Sequence, residues 1–163
     1  MDAIEALKTR RCVRVFSKEP LPKEVVEDII DCGHLAATAR NVQPWAFVAV
    51  TDAATRARLA SLAVNGPFIA DAPVCVAVLC EEGTYYLEDG CAATQNIMVA
   101  ARAHGCASCW VAGDKKPYAD AVLKILGAPD NYRLVSLVAL GRSDAHPNPQ
   151  KRPLADVIHW ERF

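Results

Sequence analysis

Three arginines fall within the stretch Thr9-Arg10-Arg11-Cys12-Val13-Arg14. A guanidinium carries a permanent charge and a planar fork of donors. Arg10, Arg11 and Arg14 together therefore suit an anion such as a phosphate, held through paired, charge-assisted hydrogen bonds. In an extended segment alternate side chains share a face, which puts Arg10, Cys12 and Arg14 on one side and Arg11 on the other. The same residues also read as ordinary solvated cations just past a helix C-terminus, where positive charge is mildly favourable. A second group with reactive side chains is Cys106 and Cys109, a C-x-x-C pair of the kind used by redox dithiols or as half of a zinc site. Neither use has its expected context. No second C-x-x-C or H-x-H set is present, and His34, His104, His146 and His159 are scattered. A redox motif should open a helix, whereas Cys109 runs into the strand-like Trp110-Val111-Ala112-Gly113.

The rest of the composition narrows the field. A chain of 163 residues reads as one domain over residues 1–163, large enough for a proper core. A net charge of -1 gives no general electrostatic reason to expect nucleic acid or an anionic membrane as partner, so any anion site must be local. Apolar residues make up 52% of the chain, which leaves room for an oligomer interface. No export signal is evident in Met1-Asp2-Ala3-Ile4-Glu5, and residues 90–103 are too short and too polar to cross a bilayer. Seven cysteines, an odd number set mostly in apolar runs, fit a reducing cytoplasm. The motifs G-x-G-x-x-G, G-x-x-x-x-G-K-[ST] and G-x-S-x-G are all absent, so the dinucleotide, P-loop and serine-hydrolase readings have no support.

The elements that must position these residues can be read in order. A short helix over residues 2–8 carries Ile4 and Leu7. Pro22 opens an amphipathic helix marked by Val25, Val26, Ile29, Ile30 and Gly33. Residues 38–43 form a loop, followed by a strand over 44–50 and a helix over 53–64 capped by Thr51-Asp52. The continuous apolar run of residues 74–80 is a strand covered on both faces. A long helix over 85–103 is apolar nearly all round and central, and Gly105 ends it. A third strand over 108–112, a helix opened by Lys116-Pro117 and stopped by Gly127, and a fourth strand over 134–141 complete the order. The tail from Arg142 to Phe163 has few partners of its own and is expected to lie across another subunit or along a sheet edge.

The loop Ala36-Ala37-Thr38-Ala39-Arg40-Asn41-Val42-Gln43-Pro44-Trp45, taken with the basic stretch, resembles the nitroreductase family of flavoproteins. That family opens with R-R-S-x-R, continues with A-P-S-x-x-N-x-Q-P-W, has an A-P pair before a buried strand, and starts its central helix with D-x-x-x-A-x-Q-N. Here these motifs read Arg10-Arg11-Cys12-Val13-Arg14, the loop just quoted, Ala72-Pro73, and Asp89 through Gln95-Asn96. Gly105-Cys106-Ala107-Ser108-Cys109-Trp110 matches the family's G-x-x-S-C-W, and Gln150-Lys151-Arg152-Pro153 its tail. The resemblance covers almost the whole chain.

The resemblance implies an α+β fold with a small mixed, mainly antiparallel sheet flanked by helices, and a tail that embraces the partner. It implies a homodimer with FMN at the interface, taking hydride from NADH or NADPH and passing electrons to a small-molecule acceptor such as a nitroaromatic or quinone, with no dedicated catalytic side chain and no metal. Carried over by position, Arg10, Arg11, Cys12 and Arg14 hold the phosphate and ribityl end, joined by Lys151 and Arg152. Asn41 and Gln43 lie against the isoalloxazine, Ala37, Thr38 and Ala39 come from the other subunit, Asn65 stands near the ring, and Gly113 offers a backbone N–H near flavin N5. Asn41 and Gln43 could equally satisfy loop backbone groups, and Gln95 and Asn96 read as internal hydrogen bonders. Cys12 replaces the usual Ser and is expected to be a weak S–H donor. The helical excursion that covers the site in larger relatives is missing. A flavin-binding carrier or sensor without turnover, a specialised flavin dehydrogenase and a Cys106–Cys109 dithiol oxidoreductase are the alternatives.

Overall fold

The computed structural model describes residues 1–163. Four strands, β1 (Trp45–Val50), β2 (Val74–Glu81), β3 (Ala107–Ala112) and β4 (Tyr132–Gly141), form one sheet in the order β1-β2-β4-β3. Each neighbouring pair is antiparallel, so the expected mixed sheet is antiparallel throughout its strands. A single isolated parallel bridge, Cys12 to Ser108, lies outside the strands at the β3 edge.

β2 and β4 are central, and their side chains alternate between two cores. Cys75, Ala77 and Leu79 of β2 face one side, with Leu134, Leu137 and Ala139 of β4. Val74, Val76, Val78 and Cys80 face the other, with Val135, Val138 and Leu140. This covering of both faces explains why the β2 sequence is apolar at every position rather than at alternate ones. The first core is closed by α3 (Ala53–Leu62), α5 (Ala119–Leu126) and a 3-10 turn at Pro67–Ile69. The second is closed by α2 (Lys23–His34) and α4 (Tyr86–Ala103).

α4 is the central helix that its apolar pattern predicts. Ala93, Ile97 and Ala101 are fully buried, and Thr94 Oγ1 lies 2.8 Å from Ser136 Oγ of β4, so its buried hydroxyl is satisfied. α2 crosses it closely at Gly33, where an added Cβ would sit 2.6 Å from Ile97 Cγ1. The small residues at the end of α2 therefore admit another helix. Asn96 Nδ2 donates to Cys32 O at 3.0 Å, an internal bond between the same two helices, whereas Gln95 is exposed. The helix ends follow their sequence signals. Asp52 accepts the Thr55 N–H at 2.7 Å, and Gly127 closes α5 at φ 67°. α4 passes through Gly105 directly to β3, so no covering helix intervenes. No helix is long and apolar enough to cross a membrane.

Candidate functional site

The basic stretch begins where α1 (Ala3–Thr9) stops. Asp2 caps that helix by accepting the Glu5 N–H at 2.9 Å. Beyond it the chain runs extended along the open edge of β3, where the Val13 N–H donates to Ser108 O at 3.0 Å. Side chains alternate as an extended segment requires. Arg10 Nη1 lies 3.9 Å from Cys12 Sγ. Arg11 points elsewhere, with Nη1 donating to Lys8 O and Arg10 O, each at 2.9 Å, and Nη2 to Asn148 Oδ1 at 3.5 Å. Arg11 Nε is buried without a partner. Arg14 is exposed and stands over the Phe68 ring, 6.0 Å from its centroid.

A cavity of about 270 Å³ opens beside this stretch, walled by Lys8, Arg10, Arg11 and Arg102, with Ser108, His146 and Asn148 among its lining. No carboxylate lines it. Arg102 comes from the last turn of α4 and is steadied by donating Nε to Thr9 Oγ1 at 3.0 Å. Four cations around a cavity with no acid, one of them with an orphaned buried N–H, have the charge and donors that suit an anion such as a phosphate. Lys8 and Arg102 carry no motif, and only the fold brings them to Arg10.

The same edge continues to the other end of β3, about 14 Å away at the usual rise per strand residue. In the β3–β4 register the Gly113 N–H donates inward to Val135 O at 3.0 Å. This differs from the expectation that Gly113 offers a free N–H, and alternation along the strand gives the reason. Amides that do not face β4 face the open edge. The Trp110 and Ala112 N–H groups point there. The Ala112 carbonyl accepts from Tyr118 Oη. Gly113 matters instead for packing, since a Cβ there would meet Leu134 Cγ at 2.5 Å. The turn after it is pinned by Tyr86 Oη, which donates to Asp114 Oδ1 at 2.5 Å, and this bond pushes the Tyr86 phenol up to about 12.

The expected ring-contacting loop lies at the same end of the sheet but at its opposite edge, ahead of β1. It is wound into a 3-10 turn, Ala39–Asn41, with left-handed backbone at Arg40, Asn41 and Gln43 (φ 54°, 56° and 54°). Thr38 Oγ1 accepts the Gln43 N–H at 3.2 Å and Asp89 Oδ1 accepts the Ala39 N–H at 3.1 Å. The Asn41 and Gln43 side chains are exposed, Gln43 Nε2 reaching only its neighbour Asn41 O at 3.3 Å. With β1 and β3 three strand spacings apart, about 14 Å, one chain does not bring this loop to the basic stretch. Asn65 lies exposed in the turn after α3. Lys151 and Arg152 are exposed on the tail and do not wall the cavity.

Cys12 is half-buried, with Arg10 Nη1 3.9 Å from its Sγ. The Cys109 thiol donates a hydrogen bond to it, with the Trp110 N–H and the nearby Arg10 charge adding to the effect, and together they outweigh burial and draw the Cys12 thiol down to about 5. The same contact pushes Cys109 up, because it must keep its proton to donate. Cys106 and Cys109 belong to the two different cores on opposite faces of the sheet. The C-x-x-C spacing therefore does not make a dithiol, and Cys109 Sγ lies 3.9 Å from Trp110 O.

The family model for the nitroreductase family matches residues 7–82 and 61–142. A relative from Methanothermobacter thermautotrophicus, provisionally named NADH dehydrogenase/NAD(P)H nitroreductase, is 25% identical over 100% of this chain and 88% of its own length. The NADPH-flavin oxidoreductase of Vibrio harveyi is 26% identical, over 99% of this chain and 75% of its own. The solved FMN-dependent nitroreductase of Clostridium difficile superposes with a TM-score of 0.90 at 23% identity, covering 98% of this chain and 99% of that one, a likeness of fold. With matches running from residue 7 to residue 142 and the family's motifs in order on the strand edge, the loop and the central helix, the chain belongs to the nitroreductase family.

Proposed function

We propose that this chain is an FMN-dependent oxidoreductase that takes reducing equivalents from NADH or NADPH and delivers them to an oxidised small molecule such as a nitroaromatic or quinone. The observation that carries this reading is the acid-free cationic cavity beside Arg10 and Arg11, with the buried Arg11 Nε unpartnered, in a chain of this family. Those donors fit a phosphomonoester. When bound, FMN supplies the chemistry by accepting hydride and releasing electrons.

The protein's part is binding and orientation. Arg10 and Arg11 hold the phosphate, with Lys8 and Arg102 supplying further positive charge and the tail residues Lys151 and Arg152 closing over it. The Ala112 N–H, directed at the open edge and rigidly held by the ladder, is the donor this chain offers to the ring end. Asn41 and Gln43 lie against the ring from a second copy, with Ala37, Thr38 and Ala39 beside them and Asn65 near its rim. The separation of the loop from the basic stretch supports this homodimer, since two opposite edges meet only between chains. Exposed apolar side chains support it too, with Leu35 at 68%, Val42 at 59% and Trp160 at 79% exposure around the loop and along the tail.

Titration with FMN is the direct test. Quenching of flavin fluorescence with saturable stoichiometry is expected, and a protein that takes up no FMN overturns the reading. Anaerobic NADH or NADPH should then bleach the bound flavin. Failure to bleach would leave a carrier rather than an enzyme.

A further inference from the structure

The cationic cavity offers more than the phosphate of a mononucleotide takes. Its volume is about 270 Å³. At roughly 30 Å³ per water that is room for about nine waters, and one phosphate group takes the place of only a few. Its donors are spread as well. Arg10 and Arg11 reach it from the extended stretch, whereas Lys8 stands in the last turn of α1 and Arg102 in the last turn of α4. Thr9 Oγ1 accepts from Arg102 Nε at 3.0 Å and itself donates to Glu5 O at 2.7 Å, so the Arg102 guanidinium is braced against the end of α1.

The outer wall is the tail. Asn148 Oδ1 accepts from Arg11 Nη2 at 3.5 Å and the Ala145 N–H donates to Ser143 Oγ at 3.1 Å, so the segment between them is tied at both ends. That segment brings His146 and Pro147, both exposed, into the cavity wall with their flat ring faces. A phosphomonoester has one charged centre, and once it rests on Arg10 and Arg11 it leaves Lys8 and Arg102 beside like charges with no anion of their own. A diphosphate has two charged centres joined by a bridging oxygen, and it spreads over both pairs.

We propose, resting on the flavin reading above, that the cavity is a diphosphate site and that this chain takes FAD as well as FMN. The phosphate next to the ribityl chain sits on Arg10 and Arg11, and the second phosphate sits between Lys8 and Arg102. The adenosine leaves toward solvent along His146 and Pro147, its base stacked on the imidazole. No carboxylate lines the cavity to repel the second phosphate. The two flavins share the same ring, so the ring end of the site serves both alike.

The test is equilibrium dialysis of the full-length, flavin-free protein against FMN and against FAD, read by flavin absorbance. FAD should bind at least as tightly as FMN. Lys8→Gln and Arg102→Gln should each weaken FAD by about tenfold or more, the scale of a lost charged hydrogen bond, and FMN by a smaller factor. His146→Ala should weaken FAD by about fivefold or more, the scale of one lost base stack, again with a smaller factor for FMN. FMN bound with FAD excluded would overturn the proposal and leave the proposed function standing, whereas a protein that takes up neither flavin would overturn both. Equal losses for the two flavins in Lys8→Gln and Arg102→Gln would also overturn it, because the helix-end cations would then share a single phosphate. The parent protein's affinity for FAD decides the matter even where a variant does not fold.

Discussion

Asp89 Oδ1, from the first turn of α4, accepts the Ala39 N–H at 3.1 Å and so ties the central helix to the loop ahead of β1. That loop holds three non-glycine residues in left-handed backbone, each a conformation that costs of order 1–3 kcal/mol unless its surroundings enforce it. Asp89 is only 7% exposed, and its carboxylate holds the turn from below while Thr38 Oγ1 holds it from within. Replacing it with alanine should release the loop and lower stability by about 1–3 kcal/mol. Asp89→Asn keeps an acceptor and should lose less. Trypsin should then cut after Arg40 faster in Asp89→Ala than in the parent, as read by gel. Equal cutting rates would show that the loop holds itself.

The bond between Asp89 and Ala39 also marks where sequence reading runs out. The strands and helices were legible because each follows from local pattern. The β2 run is apolar at every position, Gly127 and Asp52 sit where caps belong, and the stripe on α2 has the helical period. Boundaries slipped where distant partners decide them. β4 starts at Tyr132 rather than near Leu134, since Tyr132 and Arg133 pair with Glu81 and Cys80. α5 begins at Ala119, because residues ahead of it are held in a turn by Gly113 O and the Lys116 N–H. In the site, the motif order pointed to Arg10 and Arg11. Arg102 beside Arg10 and the inward commitment of the Gly113 amide both depend on pairings far apart in the chain.

The cationic cavity predicts a graded response to loss of charge. Arg10→Gln and Arg11→Gln should each weaken FMN binding by about 1.5–3 kcal/mol, roughly tenfold or more, the scale of a lost charged hydrogen bond. Arg14 stands over Phe68 and does not wall the cavity, so Arg14→Ala should cost less than either. Fluorescence titration checks the order. A larger loss at Arg14 than at Arg10 would move the phosphate away from the cavity.

Gly113 and Ala112 separate packing from donation at the end of β3. Gly113→Ala forces a Cβ to within 2.5 Å of Leu134 Cγ and 3.1 Å of Leu134 O, and overpacking of this kind should destabilise by about 1–3 kcal/mol. Ala112→Pro removes only the outward amide, and proline is tolerated on an edge strand whose N–H is not in the ladder. It should leave the denaturant midpoint nearly unchanged while slowing reduction by NADH about 100-fold, the typical effect of removing one preorganised donor. If both substitutions shift the midpoint equally and neither affects the rate, the Ala112 amide has no part in the reaction.

The lowered Cys12 thiol predicts a distinctive pH dependence. Only the thiolate reacts with iodoacetamide, so the rate at each cysteine rises with pH through that residue's own titration. For Cys12 the rise should centre near 5 and be flat above neutrality, while an ordinary thiol is still climbing through its usual range. The sign for stability follows from linkage. A thiol whose folded value lies below its unfolded value of 9.0 favours the folded state most above that unfolded value. The contribution declines as pH falls from about 9 toward about 5, where the folded thiolate takes up its proton. Cys109→Ala removes the main donor and should move the Cys12 alkylation midpoint upward. Arg10→Gln should move it upward by less, because its charge acts on Cys12 more weakly than the Cys109 hydrogen bond does. A Cys12 rate that still rises between pH 7 and 9 in the parent protein would show that the thiol is not lowered.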